Sequence, residues 1–171
     1  MPILALSNKP NMERTAIFPG SFDPFTVGHE NIVTRGLKLY DKIIIAVGHN
    51  AAKRYYFSLE ERVEFIRAQF ANEARISVEA YDCLTVDFAI KKKADSILRG
   101  LRTAADFEYE RAIAQVNRLM THIDSVFLLT TPEHTPVNSS IVRDILKHGG
   151  DASKFIPDTI YQLIKKKGQA G

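Results

Sequence analysis

Little in this sequence points to secretion, to a membrane or to a nucleic acid. The chain of 171 residues has a single cysteine, Cys83, and so cannot form an internal disulfide. No apolar run approaches the roughly 20 residues that a membrane-spanning helix needs. The net charge is only +3, which is too small to indicate a polyanionic partner. We therefore expect a cytoplasmic protein that binds neither a membrane nor a nucleic acid.

The sequence also has no internal repeat, no low-complexity segment and no linker that would divide it. Its length suits one compact domain, whose core needs neither a disulfide nor a structural metal. We expect a flexible N-terminal extension over residues 1–11 and one domain over residues 12–171. Cys83 is predicted to be a small buried apolar residue and not a nucleophile.

Apolar runs typical of strands alternate with longer helical patterns along the whole chain. Strands are predicted at residues 15–18, 42–48, 76–80, 96–99 and 125–130, and helices at residues 28–39, 58–70, 85–93, 106–120, 139–148 and 157–167. After Lys42, residues 42–48 are apolar and rich in β-branched side chains, as in a strand buried on both faces. The alternation predicts an α/β fold, a single Rossmann-like domain whose five-stranded parallel sheet has helices on both faces. Ligands of such sheets bind beyond the carboxyl ends of the strands.

A loop rich in proline and glycine follows the first predicted strand, with the sequence F-P-G-S-F-D-P-F-T-V-G-H at residues 18–29. Gly20 and Gly28 allow the backbone to approach a ligand closely. Thr26 is a candidate N-cap, and the helix N-terminus behind it is a ready site for an anion. His29 would add a side-chain donor there, or it would only cap the helix, and the spacing leaves both readings open.

Other basic residues follow the second, fourth and fifth predicted strands. They are Lys53, the segment R-G-L-R at residues 99–102, and the segment V-N-S-S-I-V-R at residues 137–143, where Ser139 or Ser140 could cap a helix. Arginine forks bind phosphate oxygens in pairs. Convergence on one edge of the sheet predicts a phosphate site, and solvated surface charges are the alternative. Neither a Walker A loop nor G-x-G-x-x-G is present, and the five histidines lack metal-ligand spacing.

Taken together, these segments resemble the phosphopantetheine adenylyltransferases of the nucleotidyltransferase superfamily. The superfamily signature [HT]-x-G-H reads T-V-G-H at residues 26–29, and the later serine-rich segment reads V-N-S-S-I-V-R at residues 137–143. The family adds P-G-[ST]-F-D-P at residues 19–24, [ST]-L-E-E-R at 58–62, R-G-[LI]-R at 99–102 and D-F-E-Y-E at 106–110. The motifs occur in the family's order and span about residues 14–164, which makes the match specific.

The resemblance implies transfer of adenylate from ATP to 4′-phosphopantetheine, giving dephospho-coenzyme A and pyrophosphate. Mg²⁺ would be carried on the ATP phosphates, with no metal ligand from the protein. The implied catalytic residues are His29, Lys53 and Arg102, and the implied acceptor-binding residues are Ser21, Lys53, Thr85 and Arg99. The implied ATP-binding residues are Ser21, Phe22, His29, Gly100, Leu101, Arg102, Glu110, His134, Thr135, Pro136, Val137, Asn138, Ser139 and Ser140.

The resemblance also implies a homohexamer. The predicted helix at residues 106–120 gives this some support, because apolar residues lie on more than one side of it. They are Phe107, Ile113, Val116 and Met120 on one stripe, with Ala112 and Ala114 beside it. Such a helix is often buried between partners, although the same residues could complete the core of one subunit.

Three positions depart from the commonest family pattern: Phe18 replaces a frequent tyrosine, Asn138 replaces the first of three serines, and Thr85 replaces a larger apolar residue.

Two other functions are alternatives to this one. A nucleotidyltransferase for nicotinate mononucleotide or glycerol phosphate would usually have histidine where this chain has Thr26. A non-catalytic nucleotide-binding scaffold would be expected to lack His29, Lys53 or Arg102, and all three are present.

Overall fold

The computed structural model describes residues 13–168, so the expected extension over residues 1–11 lies outside the described residues. The strands are β1 (Thr15–Gly20), β2 (Lys42–Gly48), β3 (Ile76–Tyr81), β4 (Ser96–Leu101) and β5 (Asp124–Leu129). The helices are α1 (Val27–Gly36), α2 (Leu59–Gln69), α3 (Thr85–Lys91), α4 (Ala104–Thr121), α5 (Ser139–Lys147) and α6 (Asp158–Gly168). A short 3-10 turn, Pro132–His134, precedes α5.

The five strands form one parallel sheet in the order β3-β2-β1-β4-β5, which confirms the predicted fold. The order reverses between β1 and β4. These two strands pair only near their starts, Ala16 with Ser96 and Ile17 with Ile97, whereas β1 and β2 pair along their whole length. The strands therefore part toward their carboxyl ends, and this opens a crevice at the point where such sheets bind ligands.

Side chains of β2 alternate between two apolar clusters on opposite faces of the sheet. Ile43 and Ile45 pack in the cluster that contains residues of α1, α2, α5 and α6. Ile44 and Ala46 pack in the cluster that contains residues of α3. The alternation follows from the two-residue period of a strand. It confirms that helices cover both faces and that this strand is buried on both sides.

Helix capping agrees with the sequence at α2 and differs at α5. Ser58 and Glu61 form the predicted capping box, in which the Glu61 backbone nitrogen donates to Ser58 Oγ at 3.2 Å. At α5 the predicted serine cap is wrong, because Asn138 is the N-cap: its Oδ1 accepts from the Ile141 backbone nitrogen at 2.9 Å. Asparagine in extended backbone reaches this donor as well as serine does.

Cys83 is exposed, so its predicted burial is also wrong. It lies in the turn between β3 and α3, at the carboxyl edge of the sheet and outside its buried faces. Among the described residues, no helix combines the length and the apolar composition needed to cross a membrane.

Candidate active site

A cavity of about 520 Å³, here called the first cavity, lies where β1 and β4 part. Its walls come from the ends of these strands, the loop before α1, and the first turns of α4 and α5. The sequence-predicted residues that line it are Ser21, Phe22, His29, Arg99, Gly100, Arg102, Glu110, Val137, Asn138, Ser139 and Ser140. The fold thus brings segments far apart in sequence to one opening.

His29 forms a capping box with Thr26 at the N-terminus of α1, and it also lines the first cavity. The Thr26 backbone nitrogen donates to His29 Nδ1 at 3.0 Å, and Thr26 Oγ1 lies at 3.0 Å from the same ring nitrogen. An Nδ1 that accepts a hydrogen bond carries no proton, so a neutral ring carries its proton on Nε2. The capping contact therefore fixes the tautomer and leaves Nε2–H as the donor of this ring.

The surroundings of His29 keep the imidazole neutral. Phe22 and Phe25 pack against it, with ring centroids 5.1 Å and 5.3 Å away. Burial, and then the positive charges of Arg102 and Arg99, lower the pKa of His29 from 6.5 to about 3. Near neutral pH, His29 is thus an uncharged hydrogen-bond donor at a helix N-terminus, where an anion is favoured.

A second cavity, of about 950 Å³, lies beyond the ends of β2 and β3. The sequence-predicted acceptor residues Ser21, Lys53 and Thr85 line it, together with Arg99. Lys53 is exposed in the loop after β2. Thr85 begins α3, and its Oγ1 lies at 3.0 Å from Tyr81 Oη. Both volumes fall in the range of roughly 300–1,000 Å³ that is common for small-molecule sites.

The two cavities share one wall, which is formed by Pro19, Gly20, Ser21, Arg99 and Glu110. Arg99 Nε donates to Glu110 Oε2 at 2.9 Å, and Arg99 Nη2 pairs with the other oxygen of the same carboxylate. Arg99 Nη1 donates to the Pro19 carbonyl at 2.5 Å. The guanidinium is therefore held between the cavities, where it can act on a ligand in either.

The start of α5 is tied to the loop before α1. Ser139 Oγ donates to the Pro24 carbonyl at 2.9 Å, and Arg143 Nη1 donates to the Asp23 carbonyl at 2.7 Å. Arg143 Nη2 also donates to Ser140 Oγ at 3.0 Å. These contacts bring the N-termini of α1 and α5 to the same cavity. Two helix N-termini facing one space favour a negatively charged ligand there.

Arg102, the remaining predicted catalytic residue, lies at the mouth of the first cavity. Its backbone nitrogen donates to Asp106 Oδ2 at 3.1 Å, and its Nε lies 3.4 Å from the same oxygen. The side chain is 36% exposed, so it keeps room to turn toward a ligand.

Four of the residues predicted to surround ATP do not line the first cavity: Leu101, His134, Thr135 and Pro136. Leu101 is buried at the end of β4, and its carbonyl accepts from the Thr130 nitrogen at 2.8 Å. His134 lies behind Gly28, since a Cβ placed on Gly28 would be 3.9 Å from the His134 Cβ. Leu101 and His134 thus adjoin residues that line the first cavity, Gly100 and Gly28, without lining it themselves.

Sequence reasoning missed several residues of the second cavity. Tyr55 and Tyr81 line it, as do Ile113, Val116, Asn117 and Met120 of α4. The apolar stripe predicted on this helix contained three of these α4 residues, but it indicated a core or a subunit contact equally well. The sequence could not assign them to this cavity, because other parts of its wall come from β4 and α3, which only the tertiary fold brings next to α4.

Residues 17–145 match the model of the cytidylyltransferase-like family. The fold and the site thus define a nucleotidyltransferase. A bifunctional NMN adenylyltransferase/ADP ribose pyrophosphatase from Francisella tularensis has the same fold, with a TM-score of 0.67 over 90% of this chain and 18% identity. This chain spans about half of that structure, 49% of its length.

Closer relatives narrow the class. The phosphopantetheine adenylyltransferase of Flavobacterium johnsoniae is 55% identical over 147 residues, which cover 86% of this chain and 97% of that protein. The enzyme of the same name from Bacteroides fragilis is 51% identical over 144 residues, covering 84% and 96% of the two chains. That from Lachnoclostridium phytofermentans is 44% identical over 155 residues, covering 90% and 95%. The chain belongs to the phosphopantetheine adenylyltransferase family.

Proposed function

We propose that this protein transfers adenylate from ATP to 4′-phosphopantetheine, producing dephospho-coenzyme A and pyrophosphate. One observation carries the proposal beyond family membership: two cavities meet at a wall that holds Arg99. The first has a neutral histidine donor at a helix N-terminus, and the second has the exposed Lys53. Two anionic substrates in these cavities would present their phosphates to the same wall.

In the proposed reaction, an oxygen of the acceptor phosphate attacks the α-phosphorus of ATP. A new P–O bond forms, the bond from the α-phosphorus to the oxygen bridging to the β-phosphate breaks, and pyrophosphate leaves with that electron pair. The attacking phosphate is already an anion, so no strong general base is needed. Catalysis rests on positioning and on stabilising charge that develops on the α-phosphate. His29 Nε2–H supplies a donor for that charge without losing a proton.

The first cavity would bind ATP, and the second would bind the acceptor. Lys53, which lines only the second cavity, would hold the acceptor phosphate together with Arg99. Arg102 would contact the ATP phosphates from the mouth of the first cavity. Ser21 lines both cavities and would contact both substrates. Thr85 would face the acceptor at the start of α3.

We also propose that Mg²⁺ enters on the ATP phosphates. Within residues 13–168, no group of three or more histidine, cysteine, aspartate or glutamate side chains is placed to hold a metal ion. In nucleotide sites Mg²⁺ commonly binds substrate phosphates and keeps several waters. When bound, the ion would neutralise part of the phosphate charge.

Helix α4 supports an assembly of several chains, and we propose the homohexamer. None of its 18 residues, all of which lie in the described part of the chain, is buried. Leu119 is 84% exposed, Val116 54% and Met120 56%. An apolar helix face left uncovered in one chain is a typical subunit contact.

The proposed location of the protein is the cytoplasm, where it would meet the substrates of coenzyme A synthesis.

A panel of acceptors tests the proposed substrate. Purified protein is incubated with ATP and Mg²⁺ plus 4′-phosphopantetheine, nicotinate mononucleotide or glycerol 3-phosphate, and release of pyrophosphate is measured. Release with 4′-phosphopantetheine alone supports the proposal. Release with one of the other two acceptors and not with 4′-phosphopantetheine would contradict it.

A further inference from the structure

Arg62 is a buried arginine that the proposed reaction does not use. It lies in the first turn and a half of α2, in the S-L-E-E-R segment at residues 58–62, and it is only 1% exposed. Arginine is seldom buried, because removing its charge from water is costly unless hydrogen bonds replace the water. Its contacts therefore show what the fold gains from placing it there.

The guanidinium of Arg62 joins the loops that form the two cavities. Nη1 donates to the Ser21 carbonyl at 2.5 Å and to the Gly48 carbonyl at 3.1 Å. Nε donates to the Ser58 carbonyl at 3.3 Å. Ser21 lies in the loop that leads to His29, and Gly48 ends β2, where the loop that carries Lys53 begins. One side chain thus sets the separation of these two loops.

Arg62 also supports the Lys53 loop through Tyr55. The guanidinium carbon lies 4.0 Å from the centroid of the Tyr55 ring, which is a cation–π contact. The Tyr55 hydroxyl accepts from the Asn50 backbone nitrogen at 3.0 Å, and the Tyr55 ring stacks on His49. Residues 49–55 therefore fold around Tyr55, and Tyr55 rests on Arg62.

Asp23 provides the charge that balances Arg62. Burial lowers the pKa of Arg62, and the negative charge of Asp23 acts in the opposite direction. The Asp23 carboxylate is itself buried and accepts from the backbone nitrogens of Tyr56 and Phe57, at 2.8 Å and 2.9 Å. The two ionic side chains thus join the same two segments.

We propose that Arg62 is a positioning residue that holds the Lys53 loop at the distance from Ser21 that the acceptor phosphate requires. The inference rests on the proposed function, because it takes the second cavity as the acceptor site. Arg62 touches neither cavity, so it acts through Tyr55, Gly48 and Ser21. Its loss should be felt most in the second cavity, because Ser139 and Arg143 of α5 also hold the loop that contains Ser21.

The test uses Arg62→Lys and Arg62→Met in the full-length protein. Lysine keeps the charge, but it lacks the planar fork that spans two carbonyls and stacks on a ring. We expect both variants to raise the KM for 4′-phosphopantetheine roughly tenfold to a hundredfold, as loop displacement of about 1 Å can do. The KM for ATP should change less than threefold. Arg67→Met is the matched control, because Arg67 lies on the same helix and donates to the Val78 carbonyl, away from both cavities.

Tyr55→Leu is the second variant should both Arg62 variants fail to fold, since it removes the ring on which the guanidinium stacks. Tyr55 also lines the second cavity, so the double variant is needed to separate support of the loop from a direct contact with the acceptor. Tyr55→Leu should raise the acceptor KM as Arg62→Lys does, and the double variant should be no worse than the more affected single one. Equal effects on both substrates, or an unchanged acceptor KM in every folded variant, would overturn the role of Arg62. A wild-type protein that does not adenylate 4′-phosphopantetheine would instead overturn the proposed function.

Discussion

The backbone nitrogen of Thr26 donates to Nδ1 of His29 at 3.0 Å, and this contact settles the protonation of the ring that lines the first cavity. From the sequence, capping the helix and donating to a ligand were competing readings of His29. In the structure the cap uses one ring nitrogen, and the other remains free to act as a donor. The two readings are therefore compatible, and the first is a condition for the second.

We predict that His29→Ala folds but loses most of its turnover. A preorganised donor to charge developing in the transition state typically contributes roughly 10²–10³ in rate. Steady-state kcat, measured beside a circular dichroism spectrum, checks this. Glu30→Ala, at the next position of the same helix, is the control and should stay close to wild type. Near-normal kcat in the His29 variant would refute the role of the ring.

The lowered pKa of His29 predicts a dependence of stability on pH. Its pKa is about 3 in the folded protein and 6.5 in the unfolded chain, so between these values the unfolded chain binds more protons. The free energy of unfolding should therefore fall as the pH is lowered from about 6.5 toward 3, and part of that fall should vanish in His29→Ala. Urea denaturation at pH 7 and pH 4.5 measures the difference. If the free energy of unfolding fell by the same amount between pH 7 and pH 4.5 in both proteins, His29 would titrate normally in the folded state.

Lys53→Ala should weaken binding of the acceptor and leave binding of ATP nearly unchanged. Lys53 lines only the second cavity, and losing a charge-assisted bond to a phosphate costs about 1.5–3 kcal/mol, or roughly tenfold to a hundredfold in KM. Separate KM values for the two substrates check this. Arg54→Ala removes a neighbouring exposed charge that does not line the cavity, and it should have little effect. A matching rise in both KM values would remove Lys53 from the acceptor site.

Arg99→Ala should differ from Lys53→Ala, because Arg99 stands in the wall that both cavities share. The change also leaves the half-buried Glu110 carboxylate without its partner, so we expect a lower melting temperature. Both KM values should rise. Adding Glu110→Gln should restore part of the melting temperature but neither KM. If Arg99→Ala raised only the KM for the acceptor, Arg99 would not contribute to the binding of ATP, and the prediction would be wrong.

Leu119→Lys tests the assembly. Leu119 is 84% exposed on α4 and does not line either cavity, so a lysine there is well solvated in a single chain. We expect the wild type to have the mass of six chains by light scattering after size-exclusion chromatography, and the variant to have a smaller mass. A wild-type mass near the 19.2 kDa of one chain at micromolar concentration would contradict the hexamer.

Much of the fold followed from the sequence because its signals are local. Residues 42–48 form β2 with the predicted bounds, since an apolar β-branched run flanked by polar residues leaves little ambiguity. The predicted ends of helices were less accurate where a tertiary contact determines the end. Helix α1 ends at Gly36 instead of residue 39, in a turn in which the Tyr40 nitrogen donates to the Gly36 carbonyl. The cap of α5 depended on which of three neighbouring polar side chains takes the extended backbone.

The site was predictable as a set of motifs but not as two cavities. Phosphate-binding residue types at the ends of strands indicated one edge of the sheet, and the parallel sheet brings them there. The pairing of Arg99 with Glu110 and the burial of Arg62 were not predictable, because each joins residues whose distance depends on how helices pack. The apolar face of α4 shows the same limit, since one stripe serves both a cavity and an exposed surface.

The most direct test of the central claim follows the label of each ATP phosphate. The protein is incubated with Mg²⁺, 4′-phosphopantetheine and ATP labelled with ³²P at either the α- or the γ-position, and the products are separated. Adenylate transfer predicts α-label in dephospho-coenzyme A and γ-label in pyrophosphate. Label from the γ-position in the acceptor product, or no label from the α-position there, would contradict it.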